Sequence, residues 1–274
     1  MPELPEVETV RRGLAPVLDG RTITHVALRR EGLRKPFPAG LARKVNGKKV
    51  LSVDRRAKYL LVTLSGGSVL IIHLGMTGRL FVRPADHENN IHDHMELTLD
   101  NGAAIVFNDA RRFGQVDLID DDELDTYPAF KAMGPEPLEA SFTPAMLAAE
   151  LAGRKTSFKA ALMDQRTVAG LGNIYVCEAL FRSRIDPRRL AGTMSKAEAG
   201  RLVPAIREVL NEAIASGGST LRDYVNARGA AGYFQHRFDV YDRDGKPCRN
   251  NAAHVIRRIV QNGRSTFYCP KCQK

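Results

Sequence analysis

The chain opens Met1-Pro2-Glu3-Leu4-Pro5-Glu6, and its second residue is the first with chemistry in it. Pro2 is small enough for the initiator methionine to be trimmed, which leaves a secondary amine at the terminus. An α-amino group titrates near about 8, so a useful fraction is neutral at physiological pH, whereas a lysine amine, near about 10.4, is far less available. A neutral amine beside Glu3 and Glu6 is a candidate covalent nucleophile toward an aldehyde-like carbon. The same residues also start a helix. Pro5 suits a first turn, and Glu3, Glu6 and Glu8 suit the positive end of a helix dipole. Leu4, Val7, Leu14 and Val17 or Leu18 keep helical spacing.

A second set of reactive side chains lies in the tail. Cys269-Pro-Lys-Cys272 is a Cys-x2-Cys knuckle, which lets two thiolates share one tetrahedral zinc. Cys248 lies upstream, and a β-hairpin would bring it to the knuckle. His254 is the best fourth ligand, giving Cys-x5-His-x14-Cys-x2-Cys, a closed and hence structural set. A small hairpin has little core, so a metal would supply its folding energy. Cys177 sits in an apolar helical stretch and reads as a buried core thiol. The tail also carries Arg257, Arg258, Arg264, Lys271 and Lys274, which suit phosphate contact.

Those residues need elements to hold them. A chain of 274 residues with 43% apolar content has room for two domains with real cores. Net charge is +10, an excess that points to a polyanionic partner. The acidic N-terminus lacks the apolar segment of a signal peptide, and no apolar run is long enough to span a membrane. Four cysteines, three of them in the last 27 residues, suit a cytoplasmic metalloprotein better than a disulfide framework.

After the first helix, residues 22–119 read mostly as strands. Residues 59–64 and 68–74 flank Ser65-Gly66-Gly67, and residues 95–99 and 103–107 flank Asp100-Asn101-Gly102. Both are hairpin signals, and short strands with tight turns predict a β-sandwich. Three prolines in 134–144 mark a linker. The second half predicts helices at 145–151 and 173–182, then a long one opened by the capping box Ser195-Lys-Ala-Glu198 and closed at Gly217-Gly218. Residues 217–236 predict a glycine-rich loop. The expected organisation is α+β and multidomain: a β-sandwich with an N-terminal helix at 1–133, a linker at 134–144, a helical domain at 145–236 and a zinc β-hairpin at 237–274.

Together the N-terminal proline, the basic charge and the metal hairpin resemble the formamidopyrimidine-DNA glycosylase family, which also contains endonuclease VIII. The likeness runs the full length. It is carried by Met1-Pro-Glu-Leu-Pro-Glu-Val-Glu-Thr9, Arg55-Arg-Ala-Lys-Tyr59, His73-Leu-Gly-Met-Thr-Gly78, His92-Asp-His94, Asp109-Ala-Arg-Arg-Phe-Gly114, Gly170-Leu-Gly-Asn-Ile-Tyr175 and Gly263-Arg-Ser-Thr-Phe-Tyr-Cys269, in order. Pro-Glu-Leu-Pro is similar to the formamidopyrimidine branch. The family's hairpin usually has two Cys-x2-Cys pairs; here the second cysteine is missing, and Cys248-Arg-Asn-Asn-Ala-Ala-His254 stands in its place.

The resemblance implies a bifunctional DNA glycosylase and AP lyase of base excision repair that removes oxidised purines, such as 8-oxoguanine and formamidopyrimidines, from duplex DNA. Pro2 would be the nucleophile, Glu3 the general acid/base, Lys58 a proton-transfer and phosphate residue, and Arg264 the phosphate-gripping residue of δ-elimination. Glu6 and Asn173 would support them. His92, Arg111 and Arg154 match DNA-binding positions, with Arg154 where the family often has lysine. Met76, Arg111 and Phe113 match the side chains that fill the gap left by an extruded base. The second domain would hold a helix-two-turns-helix element, and the 217–236 loop would close over the base. Read as residues alone, Lys58 fits a surface lysine and Met76 and Phe113 an ordinary core. The family further implies one structural zinc, damaged double-stranded DNA as partner and a bacterial cytoplasmic, nucleoid-associated location; the sequence gives no sign of an obligate dimer, so a monomer is expected. The alternatives are an endonuclease VIII-like enzyme for oxidised pyrimidines and a non-catalytic binder of damaged DNA.

Overall fold

The structure is a computed structural model, and it describes residues 2–219 and 232–274. Of the 217–236 loop expected from sequence, residues 220–231 lie outside the described residues. The chain divides into two compact units, Met1–Lys131 with Ser216–Tyr233, and Ala132–Ala215 with Phe234–Lys274.

The first unit starts with α1 (Leu4–Leu18). Glu3 is its N-cap, in extended backbone, and a capping box closes the first turn. The Glu3 side chain accepts the backbone N–H of Glu6, while Glu6 Oε2 accepts the backbone N–H of Glu3 at 2.9 Å. Val7, Val10, Leu14 and Leu18 are buried at i, i+3, i+7 and i+11, one stripe of the helix. Then follow β1 (Ile23–Leu28), α2 (Leu41–Val45), β2 (Val50–Arg56), β3 (Tyr59–Leu64), β4 (Ser68–His73), β5 (Arg79–Pro84), β6 (Asp93–Leu99), β7 (Ala103–Asn108), β8 (Gln115–Asp120) and α3 (Pro128–Lys131).

These strands form two antiparallel four-stranded sheets, ordered β1-β6-β7-β5 and β2-β3-β4-β8. One core joins them: Leu60 and Val62 from β3 and Leu70 and Ile72 from β4 of one sheet, and Val26, Leu97, Ile105 and Phe107 of the other, with the α1 stripe against it. This is the predicted sandwich. Side chains alternate faces along a strand, so Leu61, Val69 and Ile71 point the other way. They stay buried because Tyr127, Phe130 and Leu124 cover them.

The second unit holds α4 (Pro144–Leu151), α5 (Phe158–Met163), α6 (Asn173–Arg182) and α7 (Lys196–Ala215). The Ser195 capping box forms as its spacing predicts: Ser195 N–H donates to Glu198 Oε2 at 2.8 Å, and Glu198 N–H to Ser195 Oγ at 3.2 Å. The helix α7 packs against α4 and α6. Residues 134–144 are held in this unit, with Gly134 N–H on the Gln165 carbonyl at 2.8 Å, Ala169 N–H on the Pro135 carbonyl at 2.9 Å and Phe142 fully buried. The tail forms two small hairpins, β9 (Pro247–Cys248) with β10 (Asn251–Val255), and β11 (Arg257–Gln261) with β12 (Arg264–Tyr268). Their core is small: Val240, Cys248, Ile256, Phe267 and Cys269 pack with Cys177 and Phe181 of α6.

Candidate active site and metal centre

In the first unit, sheet register gathers chemistry at one end of β2-β3-β4-β8. Arg56 pairs with Tyr59, Tyr59 with His73, and His73 with Gln115, so one row crosses four strands. Ala57 and Lys58 make the two-residue turn between β2 and β3, with Ala57 in left-handed backbone at φ 52°. Lys58 is buried there. Arg55 holds the turn, donating from Nη1 to the Ala57 carbonyl at 2.9 Å and from Nε to Glu8 Oε2 of α1 at 3.2 Å.

His73 stacks against Tyr59, ring centroids 4.6 Å apart. Gly75 N–H donates to its Nδ1 at 3.1 Å, so Nδ1 is an acceptor and the ring proton belongs on Nε2. Burial first, then the charges of Lys58 and Arg34, pull its pKa down to about 4, which makes the ring a neutral Nε2–H donor. Gly75 itself has φ +64°, and a Cβ there would stand 2.3 Å from the Phe113 carbonyl carbon, so only glycine fits.

That close approach sets two loops side by side. Met76 and Phe113 are 40% and 39% exposed, large apolar side chains at the surface rather than in the core. Buried Asp109 braces both loops: one oxygen accepts Thr77 Oγ1 at 2.5 Å, the other accepts Gly114 N–H at 2.7 Å. The Arg111 guanidinium lies 4.9 Å from the Phe113 ring centroid. His92 is exposed, and its carbonyl accepts Asp109 N–H at 3.0 Å. Glu3 and Glu6 are both buried. Glu6 Oε1 accepts the N–H and Oγ of Ser219 at 2.8 and 3.0 Å, so the carboxylate ties the start of α1 to the end of the described Gly217-Gly218-Ser219 stretch.

In the second unit, Asn262 and Gly263 turn β11 into β12 with φ 49° and 72°, the two left-handed positions of a tight hairpin. Arg264 follows that turn at the edge of a cavity of about 290 Å³ lined also by Lys159, Met163, Asp164, Gln261 and Asn262. The next residue is held twice: the Ser265 carbonyl accepts Lys159 Nζ at 2.7 Å and Asn173 Nδ2 at 2.9 Å. Lys159 Nζ also donates to Thr266 Oγ1 at 2.6 Å, and Asn173 Nδ2 to the Tyr241 hydroxyl at 3.2 Å. Arg154 is bound by two carboxylates, Glu150 and, at 3.6 Å, Asp164. A pin on α6 completes the arrangement. The fully buried Glu178 carboxylate accepts the N–H groups of Asp239, Val240 and Tyr241 at 2.8, 3.0 and 2.8 Å.

The sulfurs of Cys248, Cys269 and Cys272 lie within 4.8 Å of one another. Zinc–sulfur bonds of about 2.3 Å in a tetrahedron place two thiolates about 3.8 Å apart. The Cys248 and Cys272 sulfurs are 3.8 Å apart. His254 Nδ1 stands 3.2 Å from Cys272 Sγ, close to the corresponding nitrogen–sulfur edge. Burial and the neighbouring Cys269 and Cys248 thiols push the Cys272 thiol up to about 12, a conflict between crowded sulfurs that a divalent cation removes. The three thiols therefore fit a structural zinc, which would supply folding energy to a hairpin with little core; His254 approaches Cys272 but lies outside the group of donors within 4.8 Å of one another.

Three supporting residues escape the sequence reading: Arg55, Lys159 and Glu178. For Glu178 a signal exists, an acid inside the apolar run Ile174-Tyr-Val-Cys-Glu-Ala-Leu-Phe181. For the other two, nothing local separates them from surface cations.

Three family models match the chain: the formamidopyrimidine-DNA glycosylase N-terminal domain over residues 1–116, the H2TH domain of that glycosylase over 133–225, and the zinc finger found in FPG and IleRS over 253–274. The formamidopyrimidine-DNA glycosylase of Cereibacter sphaeroides is 54% identical, with both chains fully covered. Among solved structures, the MutM (FPG) protein of Thermus thermophilus is similar at TM-score 0.89 and 41% identity, covering 99% of this chain and 98% of that one. A variant of the Lactococcus lactis FPG protein in complex with Fapy-dG-containing DNA is similar at TM-score 0.92 and 32% identity over the whole of both chains. The chain belongs to the formamidopyrimidine-DNA glycosylase family.

Proposed function

We propose that the protein is a bifunctional glycosylase and AP lyase of base excision repair, acting on oxidised purines in duplex DNA. The observation that carries the reading is Pro2 immediately before a buried N-cap glutamate, Glu3, in a chain of this family. The Pro2 nitrogen attacks C1′ of the damaged nucleotide, a C–N bond forms, and the bond to the base breaks. Glu3 supplies the proton that the departing base or opening sugar needs. The C1′–O4′ bond then breaks, with a proton delivered to O4′, and the nitrogen, which has given up its one proton, becomes a cationic iminium that draws the electron pair left when a C2′ proton is removed. Loss of that proton expels the 3′ phosphate, and a second elimination expels the 5′ phosphate. Lys58 serves proton transfer and phosphate binding in these steps. A guanidinium is a poor proton donor, so Arg264 stabilises the leaving phosphate electrostatically.

Exposed Met76, Phe113 and Arg111 support a role in filling the space of an extruded base. His92 and Arg154 are assigned to the DNA backbone; for Arg154 this requires release from Glu150 and Asp164. Asn173 supports Arg264 through Ser265. His254 completes the zinc set with Cys248, Cys269 and Cys272. The residues assigned here divide the chain by role into 1–133, 134–144, 145–236 and 237–274. The enzyme is assigned as a monomer of the bacterial cytoplasm that works at the nucleoid. A net charge of +10 supports that partner, and among the described residues no helix is long and apolar enough to cross a membrane.

A cleavage assay over a lesion panel tests the reading. Duplexes with 8-oxoguanine or formamidopyrimidine are cut fastest, with β,δ-elimination products. Faster cutting of oxidised pyrimidines assigns the endonuclease VIII-like activity instead, and binding without cutting assigns a non-catalytic role.

A further inference from the structure

Arg154 does not stand open to a phosphate, because an acid holds it. Glu150 lies in the last turn of α4, and Arg154 follows four residues later, just past the helix end. Arg154 Nε donates to the Glu150 carbonyl at 3.1 Å, and its Nη2 donates to Glu150 Oε1. The backbone beneath the pair is fixed. Arg154 N–H donates to the Leu151 carbonyl at 3.1 Å, and the Arg154 carbonyl accepts Gly192 N–H at 3.0 Å. A Cβ on Gly192 would stand 2.8 Å from that carbonyl oxygen, so the approach needs glycine.

Asp164 is the weaker tie. It lies 3.6 Å from Arg154 Nη1 and is bound more closely by Arg166, whose Nε and Nη2 reach it at 3.0 and 2.7 Å. Glu150 has no such second arginine: among the described residues, Arg154 is the one hydrogen-bond donor to its carboxylate. Its place is otherwise unfavourable. A helix C-terminus carries partial negative charge, which disfavours an acid and favours the guanidinium beside it. Asp164 lines the same cavity as Arg264, so Arg154 and Glu150 stand next to the cavity that the phosphate-gripping arginine edges. A carboxylate there repels the polyanion that Arg154 is assigned to bind.

We propose that Glu150 is a positioning residue for DNA binding: its carboxylate occupies the Arg154 guanidinium in the free protein and gives it up to a backbone phosphate when the duplex binds. The inference rests on the DNA reading above and on Arg154 as a contact. A guanidinium meets carboxylate and phosphate through the same planar fork, so the two anions compete for one set of donors. Duplex binding then includes the breaking of one ion pair, and Glu150 lowers affinity through Arg154.

The experiment is a double-mutant cycle on binding to a duplex with a stable abasic-site analogue. The wild type, Glu150→Gln, Arg154→Ala and the double variant are compared at several salt concentrations. Glu150→Gln raises affinity about two- to fivefold at physiological salt, the contribution of one surface ion pair, and the gain shrinks at high salt. Arg154→Ala lowers affinity. In the Arg154→Ala background Glu150→Gln changes nothing, because no guanidinium is left to withhold. A gain of equal size in that background makes Glu150 an acid that repels DNA on its own, and overturns the proposal. Unchanged or lower affinity in Glu150→Gln overturns it too. Glu150→Ala repeats the test with a second side chain, and melting curves that match the wild type separate a released arginine from an altered fold. A wild type that cuts damaged DNA, beside an Arg154→Ala variant that binds equally well, removes Arg154 from the contacts and the role of Glu150 with it. A wild type that neither binds nor cuts damaged duplex overturns the DNA reading first.

Discussion

Arg55 couples Glu8 of the N-terminal helix to the turn that presents Lys58: one guanidinium nitrogen meets the Glu8 carboxylate at 3.2 Å and another the Ala57 carbonyl at 2.9 Å. Helix α1 carries Pro2 and Glu3 at its start, so two groups assigned to the same reaction share a mechanical link. Glu8 is strongly held. Burial alone would raise its pKa, but hydrogen bonds from Arg11 and Arg12 and the charges of Arg11 and Arg55 bring it down to about 2.

The sign of the acid response follows. A carboxylate with a depressed folded pKa contributes stability above its unfolded value, near about 4.5, and loses it as pH falls toward about 2. Glu8→Gln removes that dependence. Urea unfolding followed by circular dichroism between pH 5 and 2 should fall less steeply for Glu8→Gln than for the wild type. Arg55→Ala should slow strand cleavage more than base excision, because it loosens the Lys58 turn. Equal slowing of both steps would contradict the link.

The zinc ligand set is the second prediction. His254 Nδ1 stands 3.2 Å from Cys272 Sγ, and His254 is the proposed fourth ligand beside the three clustered cysteines. The purified protein should hold one zinc per chain by elemental analysis. His254→Ala should lose most of it and weaken duplex binding, and His254→Cys should restore both. Unchanged zinc in His254→Ala would remove His254 from the set.

Much of this arrangement was legible in residue order. The turn Ser65-Gly66-Gly67 between the apolar runs 59–64 and 68–74 announced paired strands, and Ser195 with Glu198 announced the start of α7, because those signals are local. The knuckle at Cys269 and Cys272 was legible for the same reason. What stayed hidden depends on register and topology. Nothing near Lys159 says that its amine ends 2.7 Å from a carbonyl 106 residues later. The row Arg56, Tyr59, His73 and Gln115 exists only once β4 lies between β3 and β8. Exposure was equally hidden, since Met76 and Phe113 have core-like side chains and only their loops keep them at the surface.

His73 supplies a third prediction, on protonation. An imidazole held at about 4 in the fold and about 6.5 when unfolded takes a proton in the unfolded chain first. Folding stability from this group therefore declines as pH falls from about 6.5 to about 4, and is constant above that window. Nitrogen-resolved NMR of labelled histidine should show a neutral ring with its proton on Nε2 throughout pH 6 to 8. A ring titrating near 6.5, or a proton on Nδ1, would contradict the bond from Gly75.

Glu178 makes a fourth. Its carboxylate satisfies three backbone N–H groups in a site without water access. Alanine leaves all three unpartnered, and each buried orphan donor costs about 1–3 kcal/mol, so Glu178→Ala should lose at least about 3 kcal/mol of stability. Differential denaturation of the wild type and variant measures it. A loss under about 1 kcal/mol would mean that the 239–241 segment finds other acceptors.

The last prediction concerns the terminus. If Pro2 is the nucleophile, its nitrogen must be a free secondary amine, and any residue left before it converts that nitrogen to an amide with no nucleophilic lone pair. Borohydride reduces an iminium to a stable amine, so the trimmed enzyme mixed with an 8-oxoguanine duplex should become covalently bound to DNA. The same protein with Met1 retained should bind the duplex with similar salt dependence, since the phosphate-binding cations are untouched. It should form no adduct and excise no base. Mass spectrometry establishes which terminus is present, and gel analysis after reduction counts the adduct. Pro2→Gly distinguishes the roles of the ring and the amine: a primary amine still forms an imine but must be protonated to become an electron sink. Trapping should persist in that variant, with slower cleavage. An adduct formed at full yield with Met1 in place would assign the covalent step to another amine, with Lys58 the first to test.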